Sequence, residues 1–424
     1  MGLREPLPVL TGLRFLAAFS VMIGHGLGAF LGHAQADFGP IYWFSQLSGL
    51  GMTLFFVLSG FVIHYNYSVL VTTGGADGIG AFLWARFARL YPLFVLMLCV
   101  NILLSRRLHD LLLAGQPEGF SGLLKALPFF LLSVHSWLYI PIDGVSLISS
   151  IGGGSPITWS ISTEWFFYLA YLLIAFGVLP LNRPMAIAGA TLIWCIVWAA
   201  LASAVFDRNP VIDAWAVQRF GPTAAFSSNL QESFIRWLLY FSPYLRIGEF
   251  ILGCLTAQLF LMLRHRKVGR REAVLGITMV MLAMASVPAI MFLMFAPDSG
   301  IVMFRELNMN FALAPTVALI IFCTARYDSL VARLLSLPPF ILLGDASYAI
   351  YLIHDVVFAT VARLQERLMP AFVPSIPLGL AELAAVSVGV LVISRAVYTH
   401  FEWPMRQWVR GLRRIPASPP TLAA

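Results

Sequence analysis

Long apolar segments recur along the whole chain and leave few options for its fold. Of the 424 residues, 59% are hydrophobic and only 11% are charged, whereas an ordinary soluble domain carries about 25% charged residues. A helix of about 20 apolar residues crosses the hydrocarbon core of a bilayer. The pattern therefore predicts an all-α, polytopic transmembrane helical bundle of about ten spans. We place these spans at residues 9–31, 47–68, 88–105, 159–180, 185–206, 239–263, 273–295, 308–325, 338–358 and 377–400.

Positive charges between these segments predict how the bundle sits in the membrane. The run Arg264–Arg271, which lies between the sixth and seventh segments, is the densest basic cluster in the chain. Loops rich in Lys and Arg stay in the cytoplasm, and an even number of spans puts both termini on one side. We therefore expect the N-terminus and the C-terminus to lie in the cytoplasm.

Two regions fall outside the ten spans. The stretch 121–140 is apolar but contains Lys125 and Pro128, which favours a re-entrant or interfacial segment over a full span. Residues 1–408 are predicted to form one transmembrane domain. The remainder, 409–424, is predicted to be a short cytoplasmic tail that is basic and rich in proline, with no appended soluble domain.

The net charge of +7 does not indicate a nucleic-acid-binding protein in this context. The basic residues lie mostly between the apolar segments, where they face anionic lipid headgroups. All four cysteines lie inside apolar segments, and no pair of them has the spacing of metal ligands. We therefore expect the lipid bilayer as a partner, and neither nucleic acid nor a metal.

The first apolar segment contains two groups that a lipid-facing span does not tolerate, Arg14 and His25. An ionisable residue inside a membrane segment marks a functional site by default. Because eleven residues separate them, a helix brings them to within about 20° of one face, roughly 16 Å apart along the axis. One of the two is cationic, and the other is able to act as a base near neutral pH.

Two later segments also carry ionisable side chains into the membrane. Arg86 and Arg89 are three residues apart and project from one helix face. Such a pair either binds phosphate groups through its guanidinium forks or anchors the helix at the membrane surface. In the fourth segment Ser160, Glu164 and Tyr168 share one face. Because a carboxylate there needs a partner, we expect a histidine or an arginine beside it.

Further polar residues interrupt the other apolar segments, and they belong either to a substrate path or to a structural hydrogen-bond network. Arg246 and Glu249 are three residues apart and are expected to neutralise each other. On the ninth segment, Ser347, Tyr351 and His354 form a stripe that is too polar to face lipid. The residues that we assign to a substrate path are Ser59, Ser160, Tyr168, Arg246, Ser347, Tyr351 and His354.

Six motifs along the chain resemble, in the same order, those of the integral-membrane acyltransferase-3 family. Members of this family O-acylate extracytoplasmic carbohydrates. The similarity extends from about Leu7 to Trp408. Two positions depart from the family pattern, because Trp84-Ala85 stand where basic residues are common and Trp165 stands where a second Glu is common. The six motifs are the Arg14–His25 pair, Phe55–Phe61, Arg86–Pro92, Trp159–Glu164, Arg246–Gly253 and Ser347–His354.

The resemblance implies a membrane enzyme that moves an acyl group, most simply acetyl, from cytoplasmic acyl-CoA to a carbohydrate hydroxyl. It implies a bacterial cytoplasmic (inner) membrane protein without a metal. The basic residues Arg14, Arg86 and Arg89 would bind the phosphates of CoA. His25 would act either as general base or as transient acyl carrier, oriented by Glu164.

Many members of the family also carry a hydrolase-like C-terminal domain that completes the transfer to the sugar. We expect this chain to lack such a domain, and in that case either the transmembrane domain acts alone or a separate glycan-assembly or transfer protein takes part. A transporter or flippase for a glycan or lipid-linked substrate is the alternative, because polar helices and a basic gate suit it equally well. No inverted repeat is visible to favour that alternative.

Overall fold

The described backbone is almost entirely helical, and nine of its helices are long and apolar enough to cross a membrane. The computed structural model describes residues 5–32, 44, 46–104, 118–151, 157–227, 230–295, 307–369 and 374–413. Its helices are α1 (Pro8–Leu31), α2 (Leu47–Thr73), α3 (Gly75–Leu103), α4 (Glu118–Leu131), α5 (Trp159–Val178), α6 (Pro184–Asp207), α7 (Asn209–Phe220), α8 (Pro243–Leu263), α9 (Arg270–Phe295), α10 (Ala314–Arg326), α11 (Leu330–Leu335), α12 (Pro338–Asp345), α13 (Ser347–Leu368), α14 (Ile376–Val397) and α15 (Trp403–Leu412).

Short elements join these helices. A two-residue hairpin pairs β1 (Pro141–Ile142) with β2 (Val145–Ser146) in antiparallel register. The carboxylate of Glu232 holds this hairpin, since it accepts hydrogen bonds from the backbone N–H of Ser146 at 2.7 Å and from its hydroxyl at 2.6 Å. The remaining elements are the 3₁₀ turns Leu147–Ser149, Pro222–Ala224, Leu230–Glu232 and Leu307–Met309, the α-turn Phe234–Arg236, and the π-helices Trp237–Phe241 and Tyr398–Glu402.

Three predicted spans differ from the observed helices. The third span, predicted at 88–105, belongs to α3, which already starts at Gly75. The apolar segment 308–325 forms a helix only from Ala314, because Phe311 has a φ of 72° and Pro315 stands at the first turn. Thirteen helical residues extend about 20 Å, less than a bilayer core. The segment 338–358 is interrupted at Ala346, so that α12 ends there and the long helix α13 starts at Ser347. The total of ten spans and their orientation stay predictions.

Two other predicted regions are seen only in part. Within 121–140 the chain forms the end of α4 and then turns, with Ser133 at a φ of 57°, so no continuous helix runs through it. The predicted boundary at residue 408 falls inside α15. Of the predicted tail 409–424, residues 414–424 lie outside the described residues.

The centre of the bundle is the crossing of α2 and α8, against which α1 also packs. Glycines allow these two backbones to approach. A Cβ added to Gly60 would lie 1.9 Å from the carbonyl oxygen of Phe250, and one added to Gly253 would lie 2.0 Å from that of Val57. Small residues serve this purpose in membrane helices, where close packing replaces the hydrophobic effect.

The helices at the periphery present apolar side chains outward. On α6, Leu192, Ile193 and Ile196 are each about 60% exposed, and on α9 the same is true of Met281 and Leu282. A soluble protein rarely leaves so large an apolar surface uncovered. These faces are suited to lipid, which agrees with the membrane class that composition predicts.

The α2–α8 crossing makes a prediction about stability. Gly60→Ala is expected to lower the melting temperature of the detergent-solubilised protein, because overpacking of this kind costs about 1–3 kcal/mol. Gly49→Ala on the same helix is the control, since nothing lies within 4 Å of a Cβ there. Thermal unfolding of both variants in one detergent measures the difference, and equal melting temperatures would contradict the close approach.

Candidate active site

A cluster of arginines lies at one end of the bundle, which we call the basic end. Arg14 comes from the start of α1, Arg86 and Arg89 come from α3, and Arg406 and Arg410 come from α15. Together they line a cavity of about 160 Å³, the basic cavity. Of the described residues around it, Asp345 is the one carboxylate in the lining. The other lining residues are Val62, Asn66, Tyr67, Gly344 and Tyr398.

Two of these arginines are held by defined partners. Arg86 donates a hydrogen bond to the hydroxyl of Tyr67 at 2.7 Å, and its guanidinium lies 4.7 Å from the centre of that ring. Arg89 forms an ion pair with Glu402, which lies in the π-helix before α15. The indole N–H of Trp84 donates to the carbonyl of Val409 at 3.0 Å. These contacts dock α15 on α3, so that the basic cavity is built from both ends of the chain.

A smaller cavity of about 110 Å³, the central cavity, lies deeper and shares Arg14, Arg86 and Arg89 with the basic cavity. Glu164 lines it and accepts hydrogen bonds from the hydroxyls of Ser59 (2.9 Å) and Tyr168. The i, i+4 spacing on α5 brings Tyr168 to the carboxylate, as expected, and α2 supplies Ser59. The direct hydrogen-bond partners of Glu164 are therefore hydroxyl groups, and the arginines expected beside it are Arg14, Arg86 and Arg89, which line the same cavity.

Two aromatic residues in the lining of the central cavity contact each other. The rings of Phe55 and Tyr351 pack edge to face with centroids 5.7 Å apart. The hydroxyl of Tyr351 accepts from Ser160 at 2.7 Å and donates to the carbonyl of Ile157 at 2.7 Å. Ser347 lines the same cavity. Five of the residues assigned to a substrate path thus surround one space, namely Ser59, Ser160, Tyr168, Ser347 and Tyr351.

The large cavity, of about 730 Å³, lies at the opposite end of the bundle, near the C-terminal end of α1 and the N-terminal end of α2. His25 is partly exposed and lines it. Aromatic rings and amides line it as well, namely Trp159, Tyr240, Gln46, Gln231, Asn308 and Asn310. A concave site with aromatic surfaces and a few polar groups is the usual form of a small-molecule site. None of the described residues lines both the large and the central cavity.

His25 and His354 form a pair. The Nδ1 of His25 lies 3.0 Å from the Nε2 of His354, and the rings are stacked at an angle of 30°. His354 is completely buried behind His25, whereas we had predicted it to line a substrate path. Since Glu164 bonds to Ser59 and Tyr168, the neighbour that orients His25 in this structure is His354 and not Glu164.

Arg246 and Glu249 neutralise each other, as their spacing predicts. The guanidinium Nη1 lies 3.0 Å from the carboxylate, and both side chains are buried. Glu249 also accepts from the hydroxyl of Thr53 at 2.9 Å, which ties α8 to α2. Arg246 packs over the ring of Tyr240 at 4.5 Å and lines the large cavity. The pair thus fixes the wall of that cavity.

Comparison with known proteins identifies the family. A family model described as an acyltransferase domain matches residues 8–399, nearly the whole chain. The chain belongs to the acyltransferase-3 family. It is therefore a membrane acyltransferase, and the resemblance that the six motifs carry is confirmed.

Two relatives match most of this acyltransferase. The acyltransferase MdmB of Streptomyces mycarofaciens is 27% identical over 367 residues, which cover 86% of this chain and 81% of the relative. A protein of Bacillus subtilis (strain 168) named "Putative peptidoglycan O-acetyltransferase YrhL" is 26% identical over 380 residues. That match covers 86% of this chain but only about half (51%) of the relative. No solved structure matches the chain.

The sequence reasoning missed three residues at the basic end of this acyltransferase. The sequence patterns assigned none of the three, Arg406, Arg410 and Glu402, to a site. The sequence does contain a pattern that could have indicated them, because Arg406 and Arg410 are four residues apart and share a helix face. However, only the tertiary structure places α15 beside α3, since 325 residues separate Trp84 from its partner Val409.

The Arg246–Glu249 pair makes a second prediction. Glu249→Leu is expected to destabilise the protein strongly, because breaking a buried ion pair costs about 3–5 kcal/mol. The double variant Arg246→Leu with Glu249→Leu is expected to recover much of that loss, since it leaves no unpaired charge. Thermal unfolding of the single and double variants in one detergent measures the coupling. A double variant less stable than the single one would contradict the pairing.

Proposed function

We propose that this acyltransferase moves an acetyl group from acetyl-CoA, bound at the basic end, to a hydroxyl of a carbohydrate in the large cavity. The observation that carries the proposal is the arrangement of sites along the bundle, with five arginines at one end and His25 in a large cavity at the other. We further propose that the basic end faces the cytoplasm of a bacterial cell, as the distribution of basic loops predicts.

The basic cavity has the chemistry of a site for a polyphosphorylated donor. Guanidinium groups bind phosphate oxygens in bidentate fashion, and arginines outnumber carboxylates among its described lining residues. Arg14 lines both this cavity and the central one, so it lies where the phosphates of the donor would give way to its extended arm. The small central cavity is polar on one side, through Glu164 and Ser59, and apolar on the other.

The large cavity has the chemistry of a carbohydrate site. Its Gln and Asn amides suit sugar hydroxyl groups because they both donate and accept, and Trp159 and Tyr240, which pack against each other and against Arg246, add an aromatic wall. One relative is named as an O-acetyltransferase that acts on peptidoglycan, which supports acetyl as the group and a glycan as the acceptor. Either the transmembrane domain acts alone on the carbohydrate, or a separate glycan-assembly or transfer protein takes part.

In the proposed reaction His25 takes the proton of the acceptor hydroxyl, and the oxygen of that hydroxyl bonds to the acyl carbon. The carbon–sulfur bond breaks, and the proton passes to the departing thiolate to give free CoA. In the variant with an acyl carrier, His25 first forms an acyl-imidazole with loss of CoA, and the hydroxyl then attacks it. Both routes need an unprotonated ring nitrogen that faces the cavity.

The test uses the protein in lipid nanodiscs with acetyl-CoA labelled in the acetyl group. Glycan fractions from the cell surface are offered as acceptors, and alkali-labile label in the glycan is measured. Label in glycan is the expected result. Movement of an unmodified glycan across proteoliposomes, without label transfer, would favour the flippase instead. Glycan that remains unlabelled with every acceptor class would overturn the proposal.

His25→Ala is expected to reduce acetyl transfer by at least 100-fold, because a general base contributes about 10²–10⁴-fold. His265→Ala is the matched control, since it removes the same side chain from an exposed loop. The measurement is label transfer at equal amounts of folded protein. Activity of His25→Ala within twofold of His265→Ala would exclude the catalytic role.

Arg406→Gln and Arg410→Gln are each expected to raise the KM for acetyl-CoA about tenfold, because a hydrogen bond to a charged group is worth about 1.5 kcal/mol or more. The kcat should change little, since neither residue lies near His25. Arg333→Gln controls for the lost charge, because its side chain is 69% exposed and pairs with Asp328 away from the cavity. A KM like that of Arg333→Gln would rule α15 out of the donor site.

A further inference from the structure

His354 has no place in the reaction described so far. It is completely buried on α13, and it lines none of the three cavities. Its ring nitrogens lie within hydrogen-bond distance of the Nδ1 of His25 and of the carbonyl oxygen of Ile350. A buried histidine that cannot reach a substrate acts through its neighbours, and here the polar side chain beside it is His25.

The two hydrogen bonds determine where the protons lie. The carbonyl of Ile350 only accepts, so the Nδ1 of His354, 3.1 Å away, must carry the proton of that bond. In a neutral ring the Nε2 of His354 then has a lone pair and accepts. The Nδ1 of His25, 3.0 Å from it, must therefore be the donor. It follows that the Nε2 of His25 is the nitrogen without a proton.

A charged His354 would break this chain of donors, because both its nitrogens would then donate. Such an imidazolium would be fully buried, and no carboxylate bonds to it in the described part of the chain. A buried charge without an ionic partner is costly. The surroundings therefore favour the neutral pair.

Packing keeps the rings of His25 and His354 in this arrangement. The ring of Phe358 packs edge to face on His354 with centroids 5.8 Å apart. A Cβ added to Gly26, the residue after His25, would lie 3.0 Å from the ring of Phe358 and 2.3 Å from the side chain of Leu383. The glycine thus lets α1 approach α13 and α14 closely enough for the histidines to meet.

We propose that His354 is a positioning residue that selects the tautomer of His25, so that the unprotonated Nε2 of His25 is presented to the large cavity. This inference rests on the proposed function, in which His25 is the reacting group. When His25 takes up the hydroxyl proton, its positive charge strengthens the hydrogen bond from Nδ1 to His354. A neutral acceptor buried on a neighbouring helix thus does the work that a carboxylate does in a Ser-His-Asp triad.

Three substitutions separate positioning from packing. The amide of His354→Gln reaches the former Nε2 position and accepts from His25. The shorter amide of His354→Asn keeps the contact with Ile350 but does not reach His25, and His354→Leu keeps only volume. We expect His354→Gln to retain kcat within about fivefold and the other two to lose on the order of 100-fold, with the KM for acetyl-CoA unchanged in all three. Equal kcat for Gln and Asn would overturn the proposal.

A second measurement does not depend on activity. The ¹⁵N shifts of histidine-labelled protein in nanodiscs distinguish a protonated from an unprotonated ring nitrogen, and the signals of His25 are assigned with His25→Ala. The expected result is a protonated Nδ1 and a bare Nε2 in the wild type, and a mixture of tautomers in His354→Leu. A protonated Nε2 in the wild type would overturn the proposal. If His25 has a protonated Nδ1 and an unprotonated Nε2 while no glycan is acetylated, the proposed function is wrong but the role of His354 in selecting the tautomer is supported.

Discussion

The requirement that every polar group inside a bilayer find a partner governs the interior of this acyltransferase. Water does not satisfy a charge there, so the ionisable side chains of the site are each bonded to a polar partner or line a cavity. Arg246 meets Glu249, Glu164 meets two hydroxyls, Arg89 meets Glu402, and His25 meets His354. Most of these bonds join distant parts of the chain, and they therefore hold the bundle in register as well as shape its cavities.

The same requirement separates the interior into compartments. Strongly basic groups line the basic cavity, and the His25–His354 pair lies beside the large cavity. The rings of Phe55 and Tyr351 contact each other in the lining of the central cavity, where the hydroxyl of Tyr351 is bonded on both sides. None of the described residues that line the central cavity also lines the large cavity, so the two spaces have separate walls.

Much of the site was predictable from local spacing. Arg14 and His25, the Arg86–Arg89 pair, the Ser160–Glu164–Tyr168 stripe and the Arg246–Glu249 pair are all separations within one helix, so the 3.6-residue period is enough to place them. The partners across helices were not predictable in this way. Glu164 was expected to orient His25, but α2 brings Ser59 to the carboxylate, and α13 brings His354 to the imidazole. Helix breaks were also missed where a backbone irregularity, as at Phe311, ends an otherwise apolar segment.

By itself the sequence determined the membrane class, the helical architecture, the family motifs and the two residues of α1 that any mechanism must explain. These follow from composition and from helical period, which depend only on neighbouring residues. The tertiary structure alone decided that the two ends of the chain share the basic cavity, that Glu164 and His25 lie in different compartments, and that His25 faces another histidine. Those facts depend on which helices touch and at what level, because long-range packing, unlike helical period, is set by contacts between residues hundreds of positions apart.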